Sequence, residues 1–297
     1  MASTTLTVTQ AACHIPEIWA ADTIDAVEAN IVIAGNVQRK WEASLKVGDI
    51  LNIAYISNPT ASTKTANTNI SLEAIGPSGA EAAETITVNT NQYVAFGVEN
   101  VTEVQSKTDL RSKYTDKGGY ALASAVDTAL AALPASFSQI VGTLGVELTY
   151  DNLLRADQYL NDGNAGSGDR YIIVGPAAKA GLLKLEQLTN RDYVGDADAG
   201  KALREGYIGK ILKASTYVTT LMNVPSAGQA ECFYCHKDGV ALIMQDTKSH
   251  ADYSIERDAE VVLLTQLYGY TEVLIPPITA GGGVATDAFD VLLRTVG

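Results

Sequence analysis

Residues 101–133 carry one apolar stripe at helical period: Leu110, Tyr114, Gly118, Ala121, Leu122, Ala125, Val126, Ala129, Leu130 and Leu133. Thr102 with Gln105 reads as a capping box, and Pro134 supplies a stop. A helix of this length spans roughly 45 Å at 1.5 Å per residue, about the width of a compact domain. A rod that long suits the spine of a flat, extended molecule better than one layer of a small globule. It follows directly on a polar, Thr/Asn/Ala-rich segment bounded by two strand-like runs, residues 50–56 and 85–99. The pattern points to a protein whose function is its shape.

The 297 residues allow one large domain or two modest ones. No apolar run approaches the ~20 residues needed to cross a bilayer. The first residues show neither a basic n-region nor an apolar h-region, so no secretory signal is read. Acidic residues outnumber basic ones by 34 to 21, and the net charge of −13 suits the chain poorly to gripping DNA phosphates. The same charge is compatible with DNA nearby that must not stick. Three cysteines (Cys13, Cys232, Cys235) are too few and odd in number for a disulfide framework, which fits a reducing compartment. Three histidines (His14, His236, His250) leave little for proton chemistry near neutrality.

Residues 2–12 are small, polar and uncharged, and read as an arm that orders on a partner surface. Pro16 opens an expected helix to about Ala34, with Ile18, Trp19, Ile24, Val27 and Ile31 on its apolar side. Residues 42–56 shift to strand chemistry around a Gly48-Asp49 turn. Residues 57–84 lack the apolar area to offset their ordering entropy. Residues 50–99 therefore read as a long two-stranded ribbon, marginal alone and stabilised by lying on another subunit. Beyond the spine, the pattern predicts a helix over 150–160 capped by Thr149, a loop at 163–168 and a buried strand over 171–174. It then predicts a helix from Pro176 to Leu188 and a broken strand over 206–220. Strands over 231–236 and 240–245 flank Lys237-Asp-Gly239, a hairpin signature in which Asp-Gly supplies positive φ. Residues 255–267 and 270–275 read as strands, 281–283 as a glycine joint and 288–296 as a final edge strand. There is no internal repeat.

Two motifs invite chemistry. Cys232-Phe-Tyr-Cys235-His236 matches a haem-attachment spacing, but it lies inside a predicted strand, where alternation sends the two thiols to opposite faces. One buried cysteine and one near the turn is the preferred reading. A zinc site needs four ligands, and nothing brings others near. Gly195 to Ala202 imitates a phosphate-binding loop, yet Ala202 replaces the magnesium-holding hydroxyl, and Asp196 and Asp198 repel phosphate. Glu256 and Asp258 read as charges on a strand's wet face. No catalytic residue, cofactor or metal is expected.

Several segments together carry a resemblance: Ile15-Pro-Glu-Ile-Trp19, Lys46-Val-Gly-Asp-Ile50, and the ribbon with the spine behind it. To these belong Arg170-Tyr-Ile-Ile-Val-Gly-Pro176, Arg204-Glu-Gly-Tyr-Ile-Gly-Lys210 and Leu267-Tyr-Gly-Tyr270. In order and spacing the chain resembles tailed-phage major capsid proteins of the Hong Kong-phage-type fold. The resemblance implies an α+β architecture. Its parts are an N-terminal arm and helix (1–36), an extension loop with flanking strands (37–100), a peripheral-domain spine helix (101–138), an axial α/β domain (139–250) and return strands of the peripheral domain (251–297).

It further implies an icosahedral shell of pentamers and hexamers around double-stranded DNA, assembled in the host cytoplasm. The implied partners are copies of the same chain, portal and scaffolding proteins, a cement protein, and DNA held without sequence-specific contact. No membrane is involved. The implied subunit-interface residues are Thr4, Thr7, Asn58, Lys64, Asn67, Asn69 and Glu81. Some relatives crosslink a loop lysine to a neighbour's asparagine; Lys64 lies in such a loop, but no partner asparagine can be placed. The chain begins almost at the arm, so scaffolding acts as a separate protein or as a segment outside it. Three rivals stand beside this reading: an encapsulin-type bacterial shell protein, a redox or haem protein using Cys232, Cys235 and His236, and a surface adhesin.

Overall fold

The computed structural model describes residues 31–46, 48–54, 61–72, 83–99, 110–189, 209–273 and 289–296. Expectations for Pro16 to Asn30, the Thr102/Gln105 capping box, the phosphate-loop mimic at 195–202 and the glycine joint at 281–283 lie outside these residues. The described helices are α1 (Ile33–Asn36), α2 (Leu110–Ala132), α3 (Tyr150–Asp162), α4 (Pro176–Leu182) and α5 (Glu186–Thr189). The strands are β1 (Ile50–Ala54), β2 (Ala83–Thr87), β3 (Thr90–Glu99), β4 (Ile140–Gly142), β5 (Arg170–Val174), β6 (Lys210–Ile211), β7 (Ala214–Val218), β8 (Ala230–His236), β9 (Val240–Ser254), β10 (Ala259–Glu272) and β11 (Asp290–Thr295).

A six-stranded mixed sheet in the order β4-β11-β8-β5-β7-β6 forms the main core. Strand β5, Arg-Tyr-Ile-Ile-Val, is buried along its whole length, as a near-continuous apolar run in a sheet centre must be. It pairs parallel to β7 through the α4 crossover and antiparallel to β8. Helix α3 lays Leu153, Ala156 and Leu160 into this core, a spacing of three and four residues. The Thr149 side chain accepts a bond from the Asn152 amide, so the expected cap is present.

Helix α2 joins this core to a second layer. Leu122 packs with Val262, Leu264, Val94 and Phe96 on the three-stranded sheet β3-β10-β9. Val126, Leu130 and Ala131, further along the same helix, enter the main core with Ile33 and Val37. The described rod runs over Leu110–Ala132, and its expected start at 101–109 lies outside the described residues. Tyr114 and Ala121, placed on the apolar stripe, are exposed. At Leu133 the chain tightens into a 3-10 turn (Leu133–Ser136) containing Pro134.

Several expectations are corrected. Residues 42–46 form no strand: the chain turns over Arg39 to Leu45, burying Leu45 beside Trp41, and the strand begins only at Ile50. The strand expected over 85–99 is two. β2 pairs with β1, from Ile50↔Thr87 to Ala54↔Ala83, while β3 pairs with β10. The break falls where the Val88 amide donates to the Asp49 carbonyl at 2.7 Å.

The Lys237-Asp-Gly239 turn exists, with the Gly239 amide bonded to the His236 carbonyl, but it closes no hairpin. Both edges of β8 are taken by β5 and β11, so β9 leaves for the other sheet and pairs with β10. Ile255 to Asp258 is the exposed turn of that β9–β10 hairpin, so Glu256 and Asp258 sit on a turn and not on a strand face. The helix from Pro176 ends at Leu182 and resumes as α5 after a tight turn in which Lys184 bonds to the Gly181 carbonyl. β11 is no edge strand: it runs between β4 and β8, because its Val-Leu-Leu segment is apolar on both faces. The boundary expected at residue 250 thus falls inside β9, and β11 joins the sheet built from residues 140–236.

Candidate assembly surface

Residues 61–72 are exposed throughout and carry no strand or helix. A turn at Thr65 to Thr68 is closed by the Thr68 amide and hydroxyl, both donating to the Thr65 carbonyl. Asn67 sits in the left-handed region at φ 61°, which asparagine tolerates better than most residues. Lys64, Asn67 and Asn69 therefore lie on one exposed segment. Thr4, Thr7, Asn58 and Glu81 lie outside the described residues. Composition missed the apolar end of this segment. Ile70 is 71 % exposed and Leu72 90 %, so neither contributes to the chain's own core.

The three-stranded sheet offers a second surface. Val94, Phe96, Val262 and Leu264 face α2, so by alternation their neighbours face away from it. Among its cross-strand rows are Tyr93, Thr265 and Lys248; Ala95, Leu263 and His250; and Gly97, Val261 and Asp252. Tyr93, Ala95, Gly97, His250 and Asp252 are exposed, and Val261 and Leu263 half-exposed. β3 is an edge strand of ten residues, among the described residues paired on one side only. The opposite edge, at the start of β9, is covered. The Gln38 amide donates to the Val240 carbonyl, and the Leu242 amide donates to the Gln38 carbonyl.

The cysteine motif has no such access. Cys232 and Cys235 are both fully buried in β8, Cys235 two residues before the turn near which one cysteine is expected. Alternation sends them to opposite faces, so they cannot share a metal or a haem edge. Burial pushes the Cys232 thiol up to about 12. Burial, with the Asp290 carboxylate nearby, also raises Cys235. Thiols held in the protonated form are poor nucleophiles and poor ligands. Among the described residues no group of three or more metal-binding side chains is present. No described helix is long and apolar enough to cross a membrane.

Of the buried charges that the sequence pattern did not single out, Arg170, Asp127, Glu231 and Asp290, two tie separate parts of the chain together. Arg170, at the start of β5, donates to Asp157 Oδ1 at 2.7 Å, Asn161 Oδ1 at 2.8 Å, and the carbonyls of Ala165 and Gly166. The Tyr234 hydroxyl donates to the same Asp157 oxygen at 2.8 Å. This network pins the 163–169 loop to the main sheet. The second charge is Asp127, fully buried on α2. A lone acid four residues after Ala123 and three before Leu130, on a helix face otherwise apolar, was the available signal.

Over residues 46–271 the sequence matches a family described as phage capsid protein. No curated protein matches the chain in sequence. Among solved structures, one from Mycobacterium phage Che8 aligns with a TM-score of 0.78 at 21% identity, covering 94% of this chain and 96% of that one. The capsid of cyanophage P-SCSP1u aligns with a TM-score of 0.73 at 16% identity, covering 94% and 92%. The mature capsid of bacteriophage PhiM1 aligns with a TM-score of 0.64 at 13% identity, covering 94% and 91%. At these identities the structural likeness establishes a common fold.

Proposed function

The chain belongs to the phage capsid protein family, and from that premise we propose that its copies associate as pentamers and hexamers into a closed icosahedral shell around double-stranded DNA. Its function is that of a major capsid protein: it self-associates into the shell and resides in the virion. An encapsulin-type compartment is not favoured by the family match.

The exposure of Ile70 and Leu72 carries the finer reading. An apolar pair at the end of a polar segment, left outside its own core, gains by burial against another copy at roughly 25 cal/mol per Å². We place Lys64, Asn67 and Asn69 at that contact, together with Thr4, Thr7, Asn58 and Glu81. Edge strand β3 can add a strand through main-chain hydrogen bonds, which demand little of side chains and so tolerate several slightly different subunit environments. The proposed parts are arm (1–36), extension loop (37–100), spine (101–138), axial domain and return strands, with the last boundary moved from 250 to the start of β9 and β11 counted in the axial sheet.

Portal, scaffolding and cement proteins are the further partners, assembly takes place in the host cytoplasm, and the chain performs no catalysis. The acidic net charge of −13 suits a container that releases its packaged DNA. Negative-stain electron microscopy of the purified protein, alone and with co-expressed scaffold, tests this reading. Closed shells of uniform diameter are expected. Protein that stays monomeric at high concentration in both preparations overturns it.

A further inference from the structure

Helix α1 is four residues long and cannot hold itself together. Its first amides have no partner within the helix, and Val32 at the cap position offers no side-chain acceptor. The acceptor comes instead from α2, more than 90 residues along the chain. Asp127 Oδ2 accepts from the Val32 amide at 2.8 Å and the Ile33 amide at 3.0 Å, and Oδ1 accepts from the Ala34 amide at 2.8 Å. Asn36 braces the same turn by donating to the Val32 carbonyl at 2.7 Å. Ile33 and Val37 pack beside Val126 and Leu130, so the carboxylate sits at the rim of a fully apolar contact. An isolated acid in that place is hard to account for by packing; three converging amides account for it.

We propose that Asp127 is the anchor that fixes Val32 to Ala34, at the start of the described chain, against α2, and that assembly depends on this anchoring. The inference rests on the reading that the arm engages a neighbouring copy. The position of the chain at Val32 to Ala34 is then set by α2, the element that joins the two sheets. An arm leaving from a fixed point on a rigid rod reaches the same place on every neighbour. An arm leaving from a frayed turn does not.

The test uses full-length Asp127→Asn, which replaces one acceptor oxygen by a donor at nearly constant volume, and full-length Thr4→Asp/Thr7→Asp as a control on the arm itself. Amide exchange in the unassembled subunit and shell yield by sedimentation are read for each. For Asp127→Asn, amides 32–34 are expected to exchange about tenfold faster or more, with β5 amides unchanged, and shell yield to fall about tenfold. Should β5 exchange rise as well, Asn36→Ala, which removes only the brace, is read by the same two measurements. Unchanged exchange at 32–34 overturns the anchor. Faster exchange with normal yield, while the arm variant fails to assemble, shows an arm that works without its anchor and overturns the coupling. Normal yield from the arm variant removes the underlying reading of the arm, and the inference with it.

Discussion

Gly118 of α2 lies so close to Leu264 of β10 that a methyl group on the glycine would stand 2.7 Å from Leu264 Cδ1 and 3.5 Å from Val94 Cγ1. The missing side chain leaves room for the Leu264 methyl where the helix seats on the three-stranded sheet. A methyl group on its neighbour Gly119 would meet no atom within 4 Å. Two adjacent glycines on one helix thus have opposite reasons to be there.

Their substitution should separate them. Gly118→Val forces a branched side chain into a filled contact and is expected to cost about 1–3 kcal/mol. Gly119→Ala adds helix propensity in open space and is expected to stabilise by about 1 kcal/mol. Urea denaturation of the unassembled subunit measures both. Equal shifts of the same sign would mean that α2 does not sit on the sheet as described.

Arg170 has a side chain only 2 % exposed, and its removal takes the paired cation from Asp157, which keeps the donors of Tyr234 and Asn161. Arg170→Ala is expected to cost about 3–5 kcal/mol, the range for breaking a buried ion pair on one side. Tyr234→Phe removes one donor from the same carboxylate and should cost about 1 kcal/mol. Because both act through Asp157, the double variant should lose less than the sum, a coupling that denaturant titration of the full cycle reports.

The buried thiols give the subunit an alkaline limit. Cys232 moves from 9.0 to about 12 on folding, and Cys235 moves the same way. A folded value above the unfolded one means that unfolding releases protons at high pH. The stabilisation is therefore complete below about pH 9 and lost as pH climbs toward 12. Tyr171 and Tyr234, raised chiefly by burial, steepen the same limb. The melting temperature should fall progressively above pH 9, and Cys232→Ala should flatten part of that fall. At neutral pH a thiol reagent should label neither buried cysteine until the chain unfolds.

Local signals were read well where the outcome was local. Thr149 announced α3, and the run Tyr171 to Val174 announced a buried strand, because a cap and an apolar run depend on near neighbours. Partner choice was not legible. Lys237-Asp-Gly239 has the chemistry of a hairpin turn, and a turn forms there, but which strand pairs with which depends on β5 and β11 having claimed both sides of β8.

Gly239 is required for a different reason from the one its sequence suggests. It makes room for the Asp290 carboxylate, with which any Cβ would collide. β11 looked terminal because it is last in the chain, whereas its place in the sheet follows from burial on both faces. At the assembly surface, the family resemblance pointed to Lys64, Asn67 and Asn69, and all three are exposed on one segment. The more telling pair beside them, Ile70 and Leu72, lies in the run whose composition reads as poor in apolar area, and its exposure is a property of the fold. Asp127 and Arg170 were single letters in apolar stretches, and their partners are mostly backbone groups with no signature in sequence.

The most direct measurement is sedimentation velocity of the full-length protein beside Ile70→Asp/Leu72→Asp, with thermal unfolding of both unassembled subunits. The exposed positions should leave the melting temperature unchanged, within about 0.5 kcal/mol of stability. The unaltered chain should sediment as large closed particles, and the variant as free subunits or small capsomers. Particles formed equally well by both would contradict the claim that this segment finds its cover on another copy.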